Sequence, residues 1–213
     1  INWFVLPETF ATGFLGDGKR EPEDMDGPSI QWMKQQATNR NAAICGSLVI
    51  AENDKLYNRC IHVSAQGDFV CHYDKQHLFA YGGENKRYTA GDKQVTYTME
   101  DGDDTWRICP QICFDLRFPE SARYTKDNQY DLLVYVANWP EQRIYAWKQL
   151  LIARAIENQC YVIGVNRVGS DGNGVVYGGN SGVFGPLGYC KSDYSAVYRG
   201  LMVKHASLCL NEV

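Results

Sequence analysis

The amino-acid sequence predicts a mixed α/β protein in which helices cover β-sheets. Two regions with different patterns support this prediction: hairpin-like strand pairs dominate before Gly91, whereas strands and helices alternate after it. No linker divides the 213 residues, and 45% of them are hydrophobic. Residues 1–213 are therefore expected to form a single domain with a sizeable core.

Short apolar runs bounded by turn residues define the first half. The predicted strands are residues 2–6, 42–50, 55–65 and 69–73. The second and third strands form a predicted hairpin, because Glu52-Asn53-Asp54 lies between them. A helix is predicted over residues 28–40, which start with a proline suited to a first helical turn and place apolar residues at helical spacing. The polar, glycine-rich residues 74–92 are expected to form a long loop of the kind that carries function.

In the second half, apolar strands alternate with helices. The predicted strands are residues 105–112, 131–137 and 161–165, and residues 131–137 are apolar enough for burial on both faces. One predicted helix runs from Pro119 to about Lys126. The other covers residues 144–158, where apolar side chains share one face. Residues 169–182 are predicted to be a glycine-rich loop.

Composition and charge exclude several classes of partner. The net charge of −4 gives no basis for binding nucleic acid or an anionic membrane. No apolar run approaches the roughly 20 residues of a membrane-spanning helix, and residues 1–6, without a basic n-region, are not expected to be a signal peptide. The eight cysteines form no CxxC pair, and several lie in apolar runs. We therefore expect reduced, mostly structural thiols in a cytoplasmic protein, with a disulfide framework as the alternative.

Cys113 is the first candidate catalytic residue. An apolar strand ends at this cysteine, and a helix is predicted to start at Pro119. A thiol at such a turn is expected to lie at the sheet edge, near backbone N–H groups that lower its pKa and stabilise an oxyanion. A buried structural cysteine at a strand end is the alternative.

A thiol nucleophile needs a base. A histidine is one option, but His62 alternates with apolar neighbours and His205 lies near the end of the chain. Glu8 follows the first strand, and a carboxylate can serve as the base if burial raises its pKa. Lys75 also follows a predicted strand directly and could stabilise an oxyanion as a point charge. A surface acid and a solvated lysine are the alternatives. The sequence contains no zinc-deaminase, Gly-x-Ser-x-Gly or P-loop motif.

Three motifs in this order resemble the nitrilase, or carbon–nitrogen hydrolase, superfamily. They are Pro-Glu-Thr-Phe at residues 7–10, Asp-Lys-Gln-His-Leu-Phe at residues 74–79, and Ile-Cys-Phe-Asp-Leu-Arg-Phe-Pro-Glu at residues 112–120. The similarity continues through residues 137–140, 153–158, 164–169 and 185–186, so it covers about residues 1–188.

The resemblance implies a role for each motif residue. Cys113 would be the nucleophile, Glu8 the general base and acid, and Lys75 the stabiliser of the tetrahedral intermediate. The backbone N–H of Phe114 would be a second oxyanion donor, and Glu84 a further glutamate near the site. The resemblance also implies a four-layer α-β-β-α sandwich, a homodimer formed across a helical face, and no metal or organic cofactor.

Within the superfamily, the chain is most similar to the ω-amidase-like branch. This similarity lies in the Asn-Trp-Pro at residues 138–140, the Ala-Trp-Lys-Gln-Leu-Leu at residues 146–151, and the short span from Lys75 to Glu84. It implies substrates that are dicarboxylic acid monoamides, such as 2-oxoglutaramate or 2-oxosuccinamate. The alternatives are hydrolysis of N-carbamoyl or other aliphatic amides, or a catalytically silent binding or scaffold protein.

Such a substrate carries a distal carboxylate that an arginine could bind. The candidate arginines are Arg117, Arg143 and Arg167, although Arg117 could instead only hold the turn together. Asn138 and Trp139 are expected to contact the substrate, and Phe79 to line the pocket, with plain core packing as the alternative for the aromatic residues.

The two ends of the chain depart from the family pattern. The resemblance implies a strand and a helix before the Pro-Glu motif, and the sequence begins after the point where they would lie. Beyond Gly188, only residues 206–210 resemble the family's closing strand. We therefore expect residues 1–213 to be one carbon–nitrogen hydrolase domain truncated at both ends, with an open sheet edge.

Overall fold

Two β-sheets stacked face to face form the centre of the fold. The computed structural model describes residues 3–14, 22–101 and 103–191, together with the backbone of residues 194–198 and 201–205. The first sheet has four strands in the order β1 (Trp3–Val5), β2 (Ala43–Glu52), β3 (Lys55–Val63) and β4 (Phe69–Asp74). Strand β1 runs parallel to β2, and the other pairs are antiparallel. These four strands confirm the strands predicted for the first half.

The second sheet has five strands. Their order is β11 (Gly182–Phe184), β8 (Tyr161–Asn166), β7 (Leu132–Ala137), β6 (Asp104–Ile112) and β5 (Tyr97–Asp101). The three central strands are parallel, and the edge strands β5 and β11 are antiparallel to them. Strand β5 was not predicted, because it is an edge strand whose Thr98 and Glu100 are exposed and whose apolar signal is weak.

Each sheet carries one helix on its outer face. Successive strand residues point to opposite faces, so Ile44 packs beneath helix α1 (Pro28–Arg40) while Cys45 joins the core between the sheets. Helix α2 (Ile144–Asn158) packs its apolar face, centred on Trp147, against the second sheet. The predicted α-β-β-α layering and both of these predicted helices are confirmed.

The prediction of a helix over residues 119–126 is wrong. Only a 3₁₀ turn forms at Pro119–Ala122, directly after another 3₁₀ turn at Cys113–Arg117. The backbone becomes extended at Arg123, and a bridge between Thr125 and Asn128 closes a turn in the polar segment that follows. Polar side chains that bond to the local backbone favour such turns over a continuous helix.

The glycine-rich segment contains more order than predicted. Strands β9 (Val168–Ser170) and β10 (Val176–Gly178) form a small antiparallel hairpin within it. A second antiparallel pair, β12 (Tyr194–Tyr198) and β13 (Leu201–His205), lies near the end of the chain. The closing strand predicted at residues 206–210 lies outside the described residues. Among the helices that the structure describes, none is long and apolar enough to cross a membrane.

Candidate active site

The three motif residues Glu8, Lys75 and Cys113 each lie just beyond the end of a strand. Glu8 follows β1 in a tight turn, Lys75 directly follows β4, and Cys113 directly follows β6. The first sheet therefore supplies the carboxylate and the amine, and the second sheet supplies the thiol. All three side chains are buried.

Lys75 is the centre of a buried ionic cluster. Its Nζ lies 2.8 Å from Oε1 of Glu8 and 2.8 Å from Oε2 of Glu84, and all three side chains are at most 1% exposed. The backbone N–H of Phe79 donates to the same Glu84 oxygen at 2.6 Å. The structure thus brings Glu84, predicted from its spacing, into direct contact with the lysine.

Two asparagines fix the carboxylates further. The backbone N–H of Asn138 donates to Oε2 of Glu8 at 2.8 Å, and its side-chain amide donates to the Glu8 carbonyl and to Thr9. Asn58 donates from Nδ2 to Glu8 at 2.8 Å and to Glu84 at 3.2 Å. The sequence analysis expected Asn138 at the site and missed Asn58. The one sequence feature that could have indicated Asn58 is its polar, uncharged side chain within a predicted strand, between Leu56 and Val63.

Cys113 has a left-handed backbone, with a φ of 46°, which is uncommon for a residue with a side chain. The carboxylate of Asp115 closes the turn around it by accepting hydrogen bonds from the backbone N–H of Ile112 at 3.0 Å and that of His77 at 2.8 Å. The Tyr73 hydroxyl donates to the same carboxylate at 2.9 Å. Asp115 therefore fixes the turn that aims the thiol, a function that the sequence analysis did not predict.

The thiol of Cys113 is not activated in the way the sequence analysis expected. Burial raises the pKa of Cys113 well above its ordinary value, and the negative charges of Glu8 and Glu84 raise it further while Lys75 lowers it. The predicted lowering of the thiol pKa by backbone N–H groups is therefore wrong, because desolvation outweighs it. The resting thiol is neutral and needs a base to become a nucleophile.

The lysine is a permanent cation. Burial alone would lower the pKa of Lys75, but the charges of Glu8 and Glu84 outweigh burial and raise it well above the ordinary value. Burial also raises the pKa of Glu84, against the opposing influence of Lys75. A lysine that keeps its proton cannot accept one from Cys113, so a carboxylate is the better base.

A cavity of about 540 Å³ opens onto the thiol and the lysine. Its walls combine aromatic rings with polar and cationic groups. The lining residues are Phe14, Lys75, Phe79, Tyr81, Gly82, Cys113, Phe114, Arg117, Asn138, Trp139, Pro140, Arg143, Asp171, Asn173, Val175 and Tyr177. The volume suits a small organic substrate.

The two cavity arginines are held over aromatic rings. The guanidinium of Arg117 lies 5.0 Å from the ring centre of Trp139, and that of Arg143 lies 5.0 Å from the ring centre of Phe79. Neither arginine forms an ion pair with a described carboxylate. Arg167, the third candidate, stacks on Tyr177 and does not line the cavity among the described residues.

Asn166 holds the indole wall of the cavity in place. Its side-chain oxygen accepts from the backbone N–H of Trp139 at 2.7 Å, and its amide donates to the Trp139 carbonyl at 3.0 Å. The β9–β10 hairpin adds Asp171 and Tyr177 to the same wall, and the Tyr177 hydroxyl donates to Asp171 at 2.8 Å. Within the described part of the chain, no group of three or more His, Cys, Asp or Glu side chains is arranged to hold a metal.

Comparison with known proteins identifies the family of this chain. A sequence model of the carbon-nitrogen hydrolase family matches residues 1–208. The chain is 45% identical to omega-amidase YafV of Escherichia coli K12, across 86% of this chain and 69% of that protein. It is 35% identical to 2-oxoglutaramate amidase of Bacillus subtilis 168, across 86% of this chain and 70% of that protein.

A solved structure shows the same fold. The structure of XC1258 from Xanthomonas campestris, a CN-hydrolase superfamily protein with an arsenic adduct in its active site, matches with a TM-score of 0.82 and 41% identity. The match covers 95% of this chain and 74% of that one. By sequence and by fold, this chain belongs to the carbon–nitrogen hydrolase family.

Proposed function

We propose that this chain is an ω-amidase, a thiol amidohydrolase that cleaves dicarboxylic acid monoamides such as 2-oxoglutaramate. The observation that carries the proposal is that Cys113 and Lys75 line the same cavity as Arg117 and Arg143. Glu8, hydrogen-bonded to Lys75, lies directly behind them. The similarity to omega-amidase YafV and to 2-oxoglutaramate amidase supports the same activity.

The first half of the proposed reaction forms an acyl-enzyme. Glu8 accepts the thiol proton while Sγ of Cys113 attacks the amide carbon, and the C=O electron pair moves onto oxygen. The Nζ of Lys75 and the backbone N–H of Phe114 stabilise this oxyanion. When the intermediate collapses, the C–N bond breaks and the protonated Glu8 gives its proton to the departing ammonia.

The second half hydrolyses the thioester. A water molecule attacks the acyl carbon while Glu8 accepts its proton, and the same oxyanion donors act again. Collapse breaks the C–S bond, the thiolate takes the proton back from Glu8, and the carboxylic acid product leaves. Glu84 contributes by sharing Lys75 with Glu8, which keeps the lysine charged and fixed in place.

The arginines support a substrate with a carboxylate at the end remote from the amide. Guanidinium groups bind carboxylates through two parallel N–H bonds. The guanidinium groups of Arg117 and Arg143 already lie over the rings of Trp139 and Phe79, so part of their side-chain freedom is restricted before a substrate binds. We propose Asn138 and Trp139 as further substrate contacts, since both line the cavity next to the thiol.

Two alternatives lead to different expectations. N-carbamoyl acids also carry a carboxylate, so hydrolysis of carbamoyl groups is a second candidate that the arginines do not exclude. A catalytically silent binding protein is the third, and it is disfavoured because Glu8 and Lys75 are still in contact and Cys113 still lines the cavity.

We further propose a homodimer in a reducing, cytoplasmic compartment. Exposed apolar side chains on and beside α2, namely Ile156, Leu187 and Tyr189, support an interface across this helical face. No cysteine in the described part of the chain forms a disulfide, which suits a reducing environment.

The activity is tested by ammonia release from a panel of amides. We expect turnover of 2-oxoglutaramate and 2-oxosuccinamate, slower turnover of a monoamide without a carboxylate, and no release from an N-carbamoyl amino acid. Cys113→Ala should abolish release, whereas Cys190→Ala, which removes an exposed thiol outside the cavity, should leave it unchanged. Turnover by Cys113→Ala, or a preference for the carbamoyl compound, contradicts the proposal.

A further inference from the structure

Asn58 contacts all three members of the buried ionic cluster formed by Glu8, Lys75 and Glu84. It lies in β3 and is 1% exposed. Its Nδ2 donates to Oε1 of Glu8 at 2.8 Å and to Oε1 of Glu84 at 3.2 Å. Its backbone carbonyl accepts the backbone N–H of Lys75 at 2.9 Å. A single neutral side chain therefore bridges the two carboxylates while its backbone anchors the cation between them.

The register of β3 determines the direction of this amide. Asn58 pairs with Val49 of β2, and the next residue, Arg59, points to the opposite face, where it pairs with Glu52 and Asp74. The buried amide is therefore held by the sheet, and not only by the carboxylates that it bridges.

We propose that Asn58 is a positioning residue that stabilises the negative charges of both carboxylates by hydrogen bonding and determines which oxygen of Glu8 exchanges a proton with Cys113. The inference rests on the proposed function in one respect, since it takes Glu8 as the base. It adds a residue that neither the motifs nor the comparisons assign.

The hydrogen bonds of Glu8 distinguish its two oxygens. Oε1 accepts from both Lys75 and Asn58, which uses its two lone pairs. Oε2 accepts only from the backbone N–H of Asn138 among the described residues, so one lone pair stays open. The proton of the Cys113 thiol is thereby directed to Oε2. Without Asn58, Oε1 would regain a lone pair, and the choice between the two oxygens would be lost.

A neutral donor suits this position because the cluster already holds one cation for two anions. The amide N–H groups stabilise the negative charges without adding a charge of their own. An aspartate in its place would add a third anion beside one lysine. Among the described residues, the titratable groups in and around the cluster are Glu8, Lys75, Glu84, Cys113, Tyr88 and Tyr177.

The sign of the expected effect follows from which form the amide stabilises. Hydrogen bonds to an ionised carboxylate favour the ionised form, so their removal makes protonation of the pair easier. The protonated pair cannot accept the thiol proton. The acid limb, meaning the pH range in which the reaction rate of Cys113 falls as the pH is lowered, should therefore move to higher pH. The expected shift is about one pH unit for the loss of one charged hydrogen bond.

The test measures the rate at which iodoacetamide alkylates Cys113 as a function of pH, read on the Cys113 peptide by mass spectrometry. In Asn58→Leu and Asn58→Asp we expect the acid limb to shift upward by about one pH unit or more, with roughly tenfold slower alkylation at pH 6. The rates should converge with those of the wild-type chain at high pH. Asn58→Asp keeps the side-chain size. If Asn58→Leu does not fold, the shift of the acid limb in Asn58→Asp is the test.

The matched control is Asn158→Leu. Asn158 is another buried asparagine, bonded to Tyr124 and Arg154 at the end of α2, so its loss should lower the melting temperature without moving the acid limb. The proposal is overturned if a folded Asn58 variant shows the same acid limb as the wild-type chain. Because alkylation needs no substrate, failure of the amidase proposal would show separately, as a wild-type chain that alkylates normally and releases no ammonia.

Discussion

The Nζ atom of Lys75 lies 2.8 Å from Oε1 of Glu8, in a contact where both side chains are fully buried. The same amine is equally close to Glu84, so one cation neutralises two anions inside the protein. Such an arrangement is costly to break, because each charge left alone would lack both water and a partner. The contact therefore links the chemistry of the site to the stability of the fold.

Lys75→Met is expected to lower the free energy of unfolding by about 3–5 kcal/mol at pH 8, because it leaves two buried carboxylates without a cation. Burial already raises the pKa of Glu84 against the opposing charge of Lys75, so without the lysine Glu84 holds a proton more strongly in the folded than in the unfolded chain. The stability of the variant is therefore largest at low pH and falls as pH rises. Urea unfolding at pH 5 and pH 8 should show a smaller difference from the wild-type chain at pH 5.

The control for this prediction is Lys148→Met, which changes an exposed lysine on α2. Exposed lysines contribute little, so its effect should be within about 0.5 kcal/mol at both pH values. Equal destabilisation of Lys75→Met at pH 5 and pH 8 would show that the carboxylates do not respond to loss of the cation.

Arg143→Gln is expected to lower kcat/KM only for substrates that carry a carboxylate. Loss of one charge-assisted hydrogen bond should lower kcat/KM for 2-oxoglutaramate by about 10- to 100-fold, mostly through KM. A short amide without a carboxylate should be unaffected. The matched control is Arg167→Gln, since Arg167 also stacks on an aromatic ring but does not line the cavity. Parallel losses on both classes of amide would mean that Arg143 only supports the Phe79 wall.

Much of the site could be predicted because its residues lie in short, ordered motifs. Glu8, Lys75 and Cys113 each follow an apolar run, and the ends of strands are recognisable from sequence. The mixed α/β class was also predictable, since the strand pattern changes from hairpins to alternation near Gly91, whereas the four-layer sandwich was implied by the resemblance to the family. Here local sequence and global fold agree, as expected for a chain that folds to one structure.

The remainder depends on contacts between residues distant in sequence. Asn58 and Asp115 act on the site through bonds to residues 26 to 50 positions away, which no local pattern contains. The predicted direction of the Cys113 pKa shift was wrong for the same reason, because the shift depends on how deeply Cys113 is buried once the two sheets stack. The predicted helix at residues 119–126 failed because Pro119 marks the start of a short turn as readily as that of a helix.

Asp115→Asn tests whether the turn positions the thiol. The amide nitrogen would face either the backbone N–H of His77, which donates to one oxygen, or the donors of Ile112 and Tyr73, which share the other, so stability should fall by about 1–3 kcal/mol. The left-handed conformation of Cys113 should then be less well held, and kcat should fall with little change in KM. Asp131→Asn provides the control, because Asp131 also accepts a backbone N–H, that of Arg107, but lies away from the cavity. A kcat that falls equally in both variants would assign the loss to general destabilisation.

His62 should make the fold sensitive to mild acid. Its ring is buried between Trp3 and Tyr97, its Nδ1 lies 2.9 Å from the Tyr97 hydroxyl, and burial lowers its pKa from the ordinary 6.5 to about 4. Between pH 6.5 and 4 the unfolded chain therefore binds a proton that the folded chain refuses. Stability is lost as pH falls through this window, by about 3 kcal/mol in total.

His62→Gln removes this titration, so its unfolding free energy should fall less between pH 7 and 4 than that of the wild-type chain. His72→Gln serves as the control, because the His72 side chain is 41% exposed and its removal should leave most of the loss in place. Equal slopes for the wild-type chain and His62→Gln would mean that another group causes the acid sensitivity.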